Sequence, residues 1–200
     1  MTLRVLAAVV GLALAAGTAA PARAGEPQAR VEETVGAIAA VLGDPAPRGT
    51  ENDLERKERV RGIIRDAFDF AAMTEAAMGR HWAALDAEKR RELVDLFGAL
   101  FERSYDRLVV RFLGRSRTVY GGESVANDRA LVRTTLVREH DDELPVDYHI
   151  SYDGRRWRMW DVDVDGVSLA AKFRSQFDAA IRASSVDRLI ARIEAKLAVE

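Results

Sequence analysis

The sequence has no cysteine and only 3 histidines among its 200 residues. A disulfide framework, a thiol nucleophile and a cysteine-ligated metal site are therefore excluded. His81, His140 and His149 lack the close spacing that is typical of zinc ligands. Neither a Gly-rich phosphate loop nor a G-x-S-x-G nucleophile elbow is present. We therefore expect no metal site and no cofactor.

Excess positive charge is also lacking. The chain has 30 basic and 32 acidic residues, for a net charge of −2. Proteins that bind nucleic acid need a basic surface to neutralise phosphates. We therefore expect no nucleic-acid partner.

Long hydrophobic runs are absent except at the N-terminus, where the apolar run from Val5 to Ala16 is too short to span a bilayer. Arg4 precedes this run, and Ala22-Arg23-Ala24 follows it with the small-x-small pattern of a cleavage site. Residues 1–24 are thus predicted to be a cleaved signal peptide, and 25–200 to be one exported domain. An uncleaved membrane anchor is the less favoured alternative.

Helical periodicity dominates the first part of the mature chain. Val31, Val35, Ile38 and Leu42 lie on one face of a helix that Gly43 ends. Asp69 is a predicted N-cap for a short helix over 70–78, and Asp86 caps a long helix over 87–113. At 1.5 Å per residue the long helix would span about 40 Å.

After Gly114 the period changes from 3.6 to 2, which predicts four strands. Asn127-Asp128 and Asp153-Gly154 are hairpin signals between them. After the last strand, Asp165-Gly166 is a turn, Ser168 caps a helix, and Ser184 begins another. The sequence therefore predicts one α+β domain with a curved four-stranded antiparallel sheet covered by helices. The predicted strands are 117–124, 129–140, 146–152 and 157–164.

The acidic run from Asp161 to Gly166 resembles the start of a calcium loop, D-x-D-x-D-G. A calcium loop needs a glutamate at position 12, and that position is Lys172 here. Asp69 and Asp161 are the candidate carboxylates for acid–base chemistry, but a helix cap and a strand position already account for them. No metal or catalytic site is predicted from this run.

Four segments resemble the MlaC family of periplasmic phospholipid-binding proteins, also called toluene-tolerance or auxiliary ABC-transport proteins. They are Phe68-Asp69-Phe70 with Gly79-Arg80-His81-Trp82, the long helix from Leu85 to Tyr105, Trp157 to Asp161, and Asp165 to Phe177. The resemblance implies a nuclear-transport-factor-like (cystatin-like) fold and no catalysis. It also implies a periplasmic shuttle that maintains outer-membrane lipid asymmetry. Its partners would be phospholipid, an inner-membrane ABC complex with an MCE-domain subunit, and an outer-membrane lipoprotein–porin complex.

Strand parity and helix periodicity then predict a lipid-binding set. We expect the lipid head group to stay in water, with no charged clamp. The alternatives are a hopanoid or another apolar ligand, an enzyme that uses the same pocket, and an adaptor with a fully packed core. The predicted lipid-binding residues are Phe97, Phe101, Tyr105, Leu108, Val132, Leu136, Val146, Tyr148, Ile150, Trp160, Val162 and Val164.

Overall fold

The computed structural model describes residues 25–43, 51–113, 116–138 and 142–199, and the side chains of 51–53 and 105–112 lie outside that description. Within these ranges, no helix has both the length and the apolar character needed to cross a membrane. The predicted signal peptide and His140 also lie outside them. The elements are α1 (Glu26–Leu42), α2 (Glu51–Ala67), α3 (Phe70–Met78), a 3₁₀ helix (Gly79–Ala84), α4 (Ala87–Leu113), β1 (Arg117–Ala126), β2 (Arg129–Val137), β3 (Glu143–Tyr152), β4 (Trp157–Val164), β5 (Val167–Ser168), α5 (Leu169–Ala183) and α6 (Val186–Ala198).

The strands form one antiparallel sheet in the order β1-β2-β3-β4-β5, which confirms the predicted α+β class. The expected count of four strands is wrong by one short element. Asp165 and Gly166 both have positive φ angles, 52° and 74°, and turn the chain back so that Val167 pairs with Val164. A two-residue strand of this kind has no periodicity that a sequence pattern can detect.

An irregularity in β4 breaks the strict alternation of inward and outward side chains that the sequence predicts for this strand. Tyr148 pairs with Val162, but Ile150 pairs with Met159, so β4 carries one extra residue opposite His149. A β-bulge of this kind reverses which alternate residues face the core. Met159 and Val162 both face the core as a result, whereas Trp160 faces outward.

Caps and turns fix the helices against the sheet. The carboxylate of Asp69 accepts a hydrogen bond from the Ala72 N–H at 3.0 Å, which confirms this N-cap. The Asp86 carboxylate does the same for the Lys89 N–H at 2.8 Å. The last helix is capped by Ser185 and not by Ser184, a shift of one residue between two adjacent candidate caps.

The segment that joins α2 to α3 runs along the edge of β4. Phe68 forms a parallel bridge with Met159, and the Asp69 N–H donates to the Met159 carbonyl at 2.7 Å. The Arg158 guanidinium donates to the Phe68 carbonyl. These bonds use backbone groups at an edge that would otherwise be unpaired, and they place Phe68 and Phe70 beside the sheet.

Helices α1, α2, α3 and α5 contact the sheet directly, whereas α4 packs mainly on α1, α2, α3 and α6. The Glu123 carboxylate holds the start of α1, since it accepts hydrogen bonds from the N–H groups of Gly25 at 2.5 Å and Gln28 at 2.8 Å. The opposite face of the sheet carries polar and partly exposed side chains such as Arg133 and Asp147. The helices therefore cover one face of the sheet, as predicted.

Candidate functional site

A cavity of about 600 Å³ lies between the covered face of the sheet and the helices. This volume falls within the roughly 300–1,000 Å³ typical of small-molecule sites. Its wall is mostly aliphatic and aromatic. The lining residues are Thr34, Val35, Ile38, Ile64, Phe68, Phe101, Ser104, Leu113, Leu136, Leu144, Val146, Tyr148, Met159, Val162, Val164, Val167, Leu169, Lys172, Phe173, Gln176 and Lys196.

Phenylalanine rings form one continuous part of the wall. Phe101 lies 5.5 Å from Phe68 and 6.4 Å from Phe97, measured between ring centroids. Phe97 in turn meets Phe173 edge-on at 4.8 Å. Phe68, Phe101 and Phe173 line the cavity, while Phe97 is fully buried behind them. The rings thus contact one another along one part of the wall.

The predicted lipid-binding residues divide into four groups. Half of them line the cavity: Phe101, Leu136, Val146, Tyr148, Val162 and Val164. Phe97, Val132 and Ile150 are fully buried but belong to the packed core beside the cavity. The side chains of Tyr105 and Leu108 lie outside the described residues.

Trp160 forms the fourth group, because its side chain lies on the outward face of the sheet and not on the predicted inward face. Its ring lies 5.3 Å from the His149 ring, and the Arg129 guanidinium lies 5.2 Å above it. Both partners belong to the outward face of the sheet, so the indole packs there as a cation–π and aromatic contact. The bulge described above is the cause, and Met159 takes the inward position.

Several lining residues were not in the predicted set. The first two helices contribute Val35, Ile38 and Ile64, and the segment after β4 contributes Leu169. Their apolar periodicity was visible in the sequence, but periodicity alone does not distinguish a residue that lines a cavity from one that fills a core.

Tyr148 brings a polar group into the apolar wall. Burial raises the pKa of its phenol far above the ordinary value, with a smaller contribution from Tyr120. The hydroxyl therefore stays protonated, so the wall remains uncharged at this point. Thr34 also lines the cavity, but its hydroxyl donates to the Arg30 carbonyl at 2.9 Å.

The exposed lining residues mark the mouth. Val167 on β5 is 55% exposed, and Lys172, Gln176 and Lys196 are also exposed. These four residues come from β5, α5 and α6. The cavity therefore opens between the end of the sheet and the last two helices.

Asp161 is buried, but its carboxylate serves the start of α5. One oxygen accepts hydrogen bonds from the Val162 N–H at 2.8 Å and the Ala170 N–H at 2.9 Å, and the other accepts from the Ser168 hydroxyl. Ser168 itself caps α5 by accepting from the Ala171 N–H at 2.9 Å. Negative charge at a helix N-terminus is stabilising, so Asp161 acts as an anchor between β4 and α5.

His149, Asp161 and Asp163 bring three potential ligand atoms within 4.8 Å of one another. The His149 ring nitrogen and the Asp163 carboxylate lie 3.1 Å apart and form a hydrogen bond. The Asp161 carboxylate takes three hydrogen bonds at the start of α5, whereas Oδ1 of Asp163 is buried without a hydrogen-bond partner.

A solved structure and a protein family are similar to this chain. No curated protein sequence matches the chain. A solved structure, that of the phospholipid-binding protein from Ralstonia solanacearum in complex with a phospholipid, superposes with a TM-score of 0.75 at 25% sequence identity. The match covers 86% of this chain and 97% of that one. Residues 32–195 match the family described as MlaC protein. With the match spanning both the sheet and the helices around the cavity, the chain belongs to the MlaC family.

Proposed function

We propose that this protein carries phospholipid by enclosing acyl chains in the cavity between sheet and helices. The observation that supports this most strongly is the cavity itself, which has an apolar wall and a polar, exposed mouth. A ligand with apolar tails and a hydrated head group matches both parts of the site.

The energetics of lipid transfer require such a container. A diacyl lipid has roughly 30 methylenes, and at about 0.8 kcal/mol each their exposure to water would cost about 25 kcal/mol. A carrier with an apolar cavity removes most of that cost. Handover between two such cavities can then be nearly neutral in free energy.

The similar protein from Ralstonia solanacearum was determined with a phospholipid bound, which supports the same ligand class here. The MlaC family is periplasmic, and this supports export of 25–200 after removal of the signal peptide 1–24. The proposed route runs between an inner-membrane ABC complex with an MCE-domain subunit and an outer-membrane lipoprotein–porin complex. Maintenance of outer-membrane lipid asymmetry would be the physiological result.

The rival functions have less support. An enzyme in the same cavity would need a carboxylate or a histidine directed into it, and the described lining residues include neither. The Asp161 carboxylate is held by three hydrogen bonds at the start of α5. An adaptor with a fully packed core does not agree with a cavity of about 600 Å³. A hopanoid or another apolar ligand remains an alternative cargo for the same carrier.

A transfer assay tests the carrier proposal. Donor vesicles that contain a self-quenched fluorescent phospholipid are mixed with unlabelled acceptor vesicles, with and without the purified protein. We expect the protein to accelerate dequenching in proportion to its concentration. If transfer stays at the spontaneous rate at every protein concentration, the proposal fails.

A further inference from the structure

The charged residues that line the cavity are all of one sign. Among the described lining residues only Lys172 and Lys196 are charged, and both belong to the mouth. No lining carboxylate is present in the described part of the chain. The chain as a whole has a net charge of −2, so two lysines without an acid at one rim depart from its average composition.

Some surface cations of the protein are already engaged in ion pairs. The Lys89 ammonium lies 2.6 Å from the Asp187 carboxylate, and the Arg80 guanidinium lies 2.6 Å from Asp178. Neither Lys172 nor Lys196 has an ion-pair partner among the described residues. Both ammonium groups are therefore available to an anion at the mouth.

The placement of Lys172 on α5 follows from helix periodicity. Lys172 and Gln176 are four residues apart and lie on one face, each just before a buried ring, Phe173 or Phe177. A lysine packs its apolar stem along such a wall and keeps its ammonium in water. Gln176 adds amide N–H donors on the same face.

We propose that Lys172 and Lys196 bind the phosphate of the lipid whose tails occupy the cavity. This inference rests on the proposed function and makes it more specific. It differs from the expectation, drawn from the sequence, that no charged side chains hold the head group. The two ammonium groups bind the phosphate, which all glycerophospholipids share, and the rest of the head group stays in water. Selectivity should then lie between lipids with and without phosphate.

A matched pair of lipids tests this inference. Phosphatidylglycerol and diacylglycerol with identical short acyl chains differ only in the phosphate-bearing head group. We measure the affinity of each for the delipidated protein and for a double variant that carries Lys172→Gln and Lys196→Gln. An anionic lipid group gains about fivefold in affinity from each nearby lysine at low salt.

We therefore expect the unaltered protein to prefer phosphatidylglycerol by about 10- to 30-fold at low salt, with a smaller preference at high salt because salt screens exposed charges. The double variant should lose this preference while its affinity for diacylglycerol stays the same. Arg155→Gln, in the exposed turn between β3 and β4, removes one positive charge far from the mouth and serves as the control. It should behave like the unaltered protein.

The possible outcomes separate the two proposals. The phosphate contact is overturned if the unaltered protein binds both lipids with equal affinity, or if the double variant keeps the preference. Either result leaves the proposed function intact. If the protein binds neither phosphatidylglycerol nor diacylglycerol, the proposed function is overturned, and this inference is overturned with it.

Discussion

Val162 is the residue at which strand geometry and cavity meet. It lies in β4 just after the bulge, pairs with Tyr148, and is 7% exposed in the cavity wall. Without the bulge it would share a face with Trp160, which packs on the opposite side of the sheet. The inward direction of Val162 therefore depends on one extra residue in β4.

Val162→Glu is expected to lower phospholipid affinity by about 5- to 150-fold. A polar group that is buried without a partner costs about 1–3 kcal/mol, and a bound acyl chain would bury the new carboxylate. Lipid titration followed by fluorescence measures the change, and circular dichroism checks that the variant is folded. Val164→Glu, at a half-buried lining position of the same strand, repeats the test if Val162→Glu is unstable.

The matched control for this change is Val119→Glu. Val119 is 38% exposed and pairs with Thr135 on the outward face of the sheet, so the same chemical change falls outside the cavity. We expect lipid affinity close to that of the unaltered protein. Equal losses in the two variants would contradict the assignment of the inward face.

Asp66 links three elements through ion pairs, and we expect these pairs to make the stability of the fold depend on pH. Its carboxylate bonds the guanidinium groups of Arg30 on α1 and Arg156 in the β3–β4 turn. The hydrogen bond from Arg30, followed by that from Arg156, holds the pKa of Asp66 below its ordinary value. With a folded pKa below the unfolded one, the stabilisation is present above about pH 4 and disappears as the pH falls through the folded pKa.

Asp66→Asn should therefore lower the free energy of unfolding at pH 7 by no more than about 1 kcal/mol, because the side chain is 53% exposed. The difference from the unaltered protein should vanish toward pH 2–3. Urea denaturation across this pH range measures it. Asp95→Asn on the exposed part of α4 is the control and should leave the curve within about 0.5 kcal/mol. A loss that persists at low pH would contradict the ion-pair explanation.

At the scale of elements, the segment from β4 to α5 builds both a wall and the mouth of the cavity. The Asp165-Gly166 turn and the Ser168 cap were recognisable in the sequence because turn and cap residues act locally. The short strand β5 between them was not recognisable. It pairs Val167 with Val164 and so places a half-exposed apolar residue at the mouth.

Asp161 holds this segment together, and Asp161→Asn tests its role. An amide cannot accept all three hydrogen bonds that the carboxylate accepts, and it carries no charge at the helix N-terminus. We expect a loss of about 1–3 kcal/mol in the free energy of unfolding. Asp165→Asn, a neighbour at a turn position that asparagine tolerates, should change stability by less than about 0.5 kcal/mol. Thermal and urea unfolding give both values, and equal effects would contradict the anchoring role.

At the scale of the whole molecule, helical and strand periods were sufficient to predict the α+β class, the long helix α4 and the four longer strands. Two features depended on contacts distant in the chain. The bulge opposite His149 is set by pairing between β3 and β4, and strict alternation therefore assigned Trp160 to the wrong face. The presence of a cavity depends on how the helices pack against the sheet, since the same phenylalanine spacing fits a closed core.

The lipid contacts remain a prediction at this scale. The strand residues chosen by parity included Val146 and Val162, which line the cavity, as well as Ile150, which is packed behind it. Lys172 entered the sequence argument only as the residue that excludes a calcium loop. Its position at the mouth depends on the packing of α5 against α6, which the sequence pattern does not show.

Native mass spectrometry of the protein purified gently from cells tests the central claim most directly. If the cavity carries acyl chains, the protein should appear with an added mass equal to that of a phospholipid, and dissociation should release that lipid for identification. The Val162→Glu variant should appear without it, whereas Val119→Glu should retain it. A clean unliganded mass for the unaltered protein after gentle extraction would contradict the account, and a released hopanoid would correct the identity of the cargo.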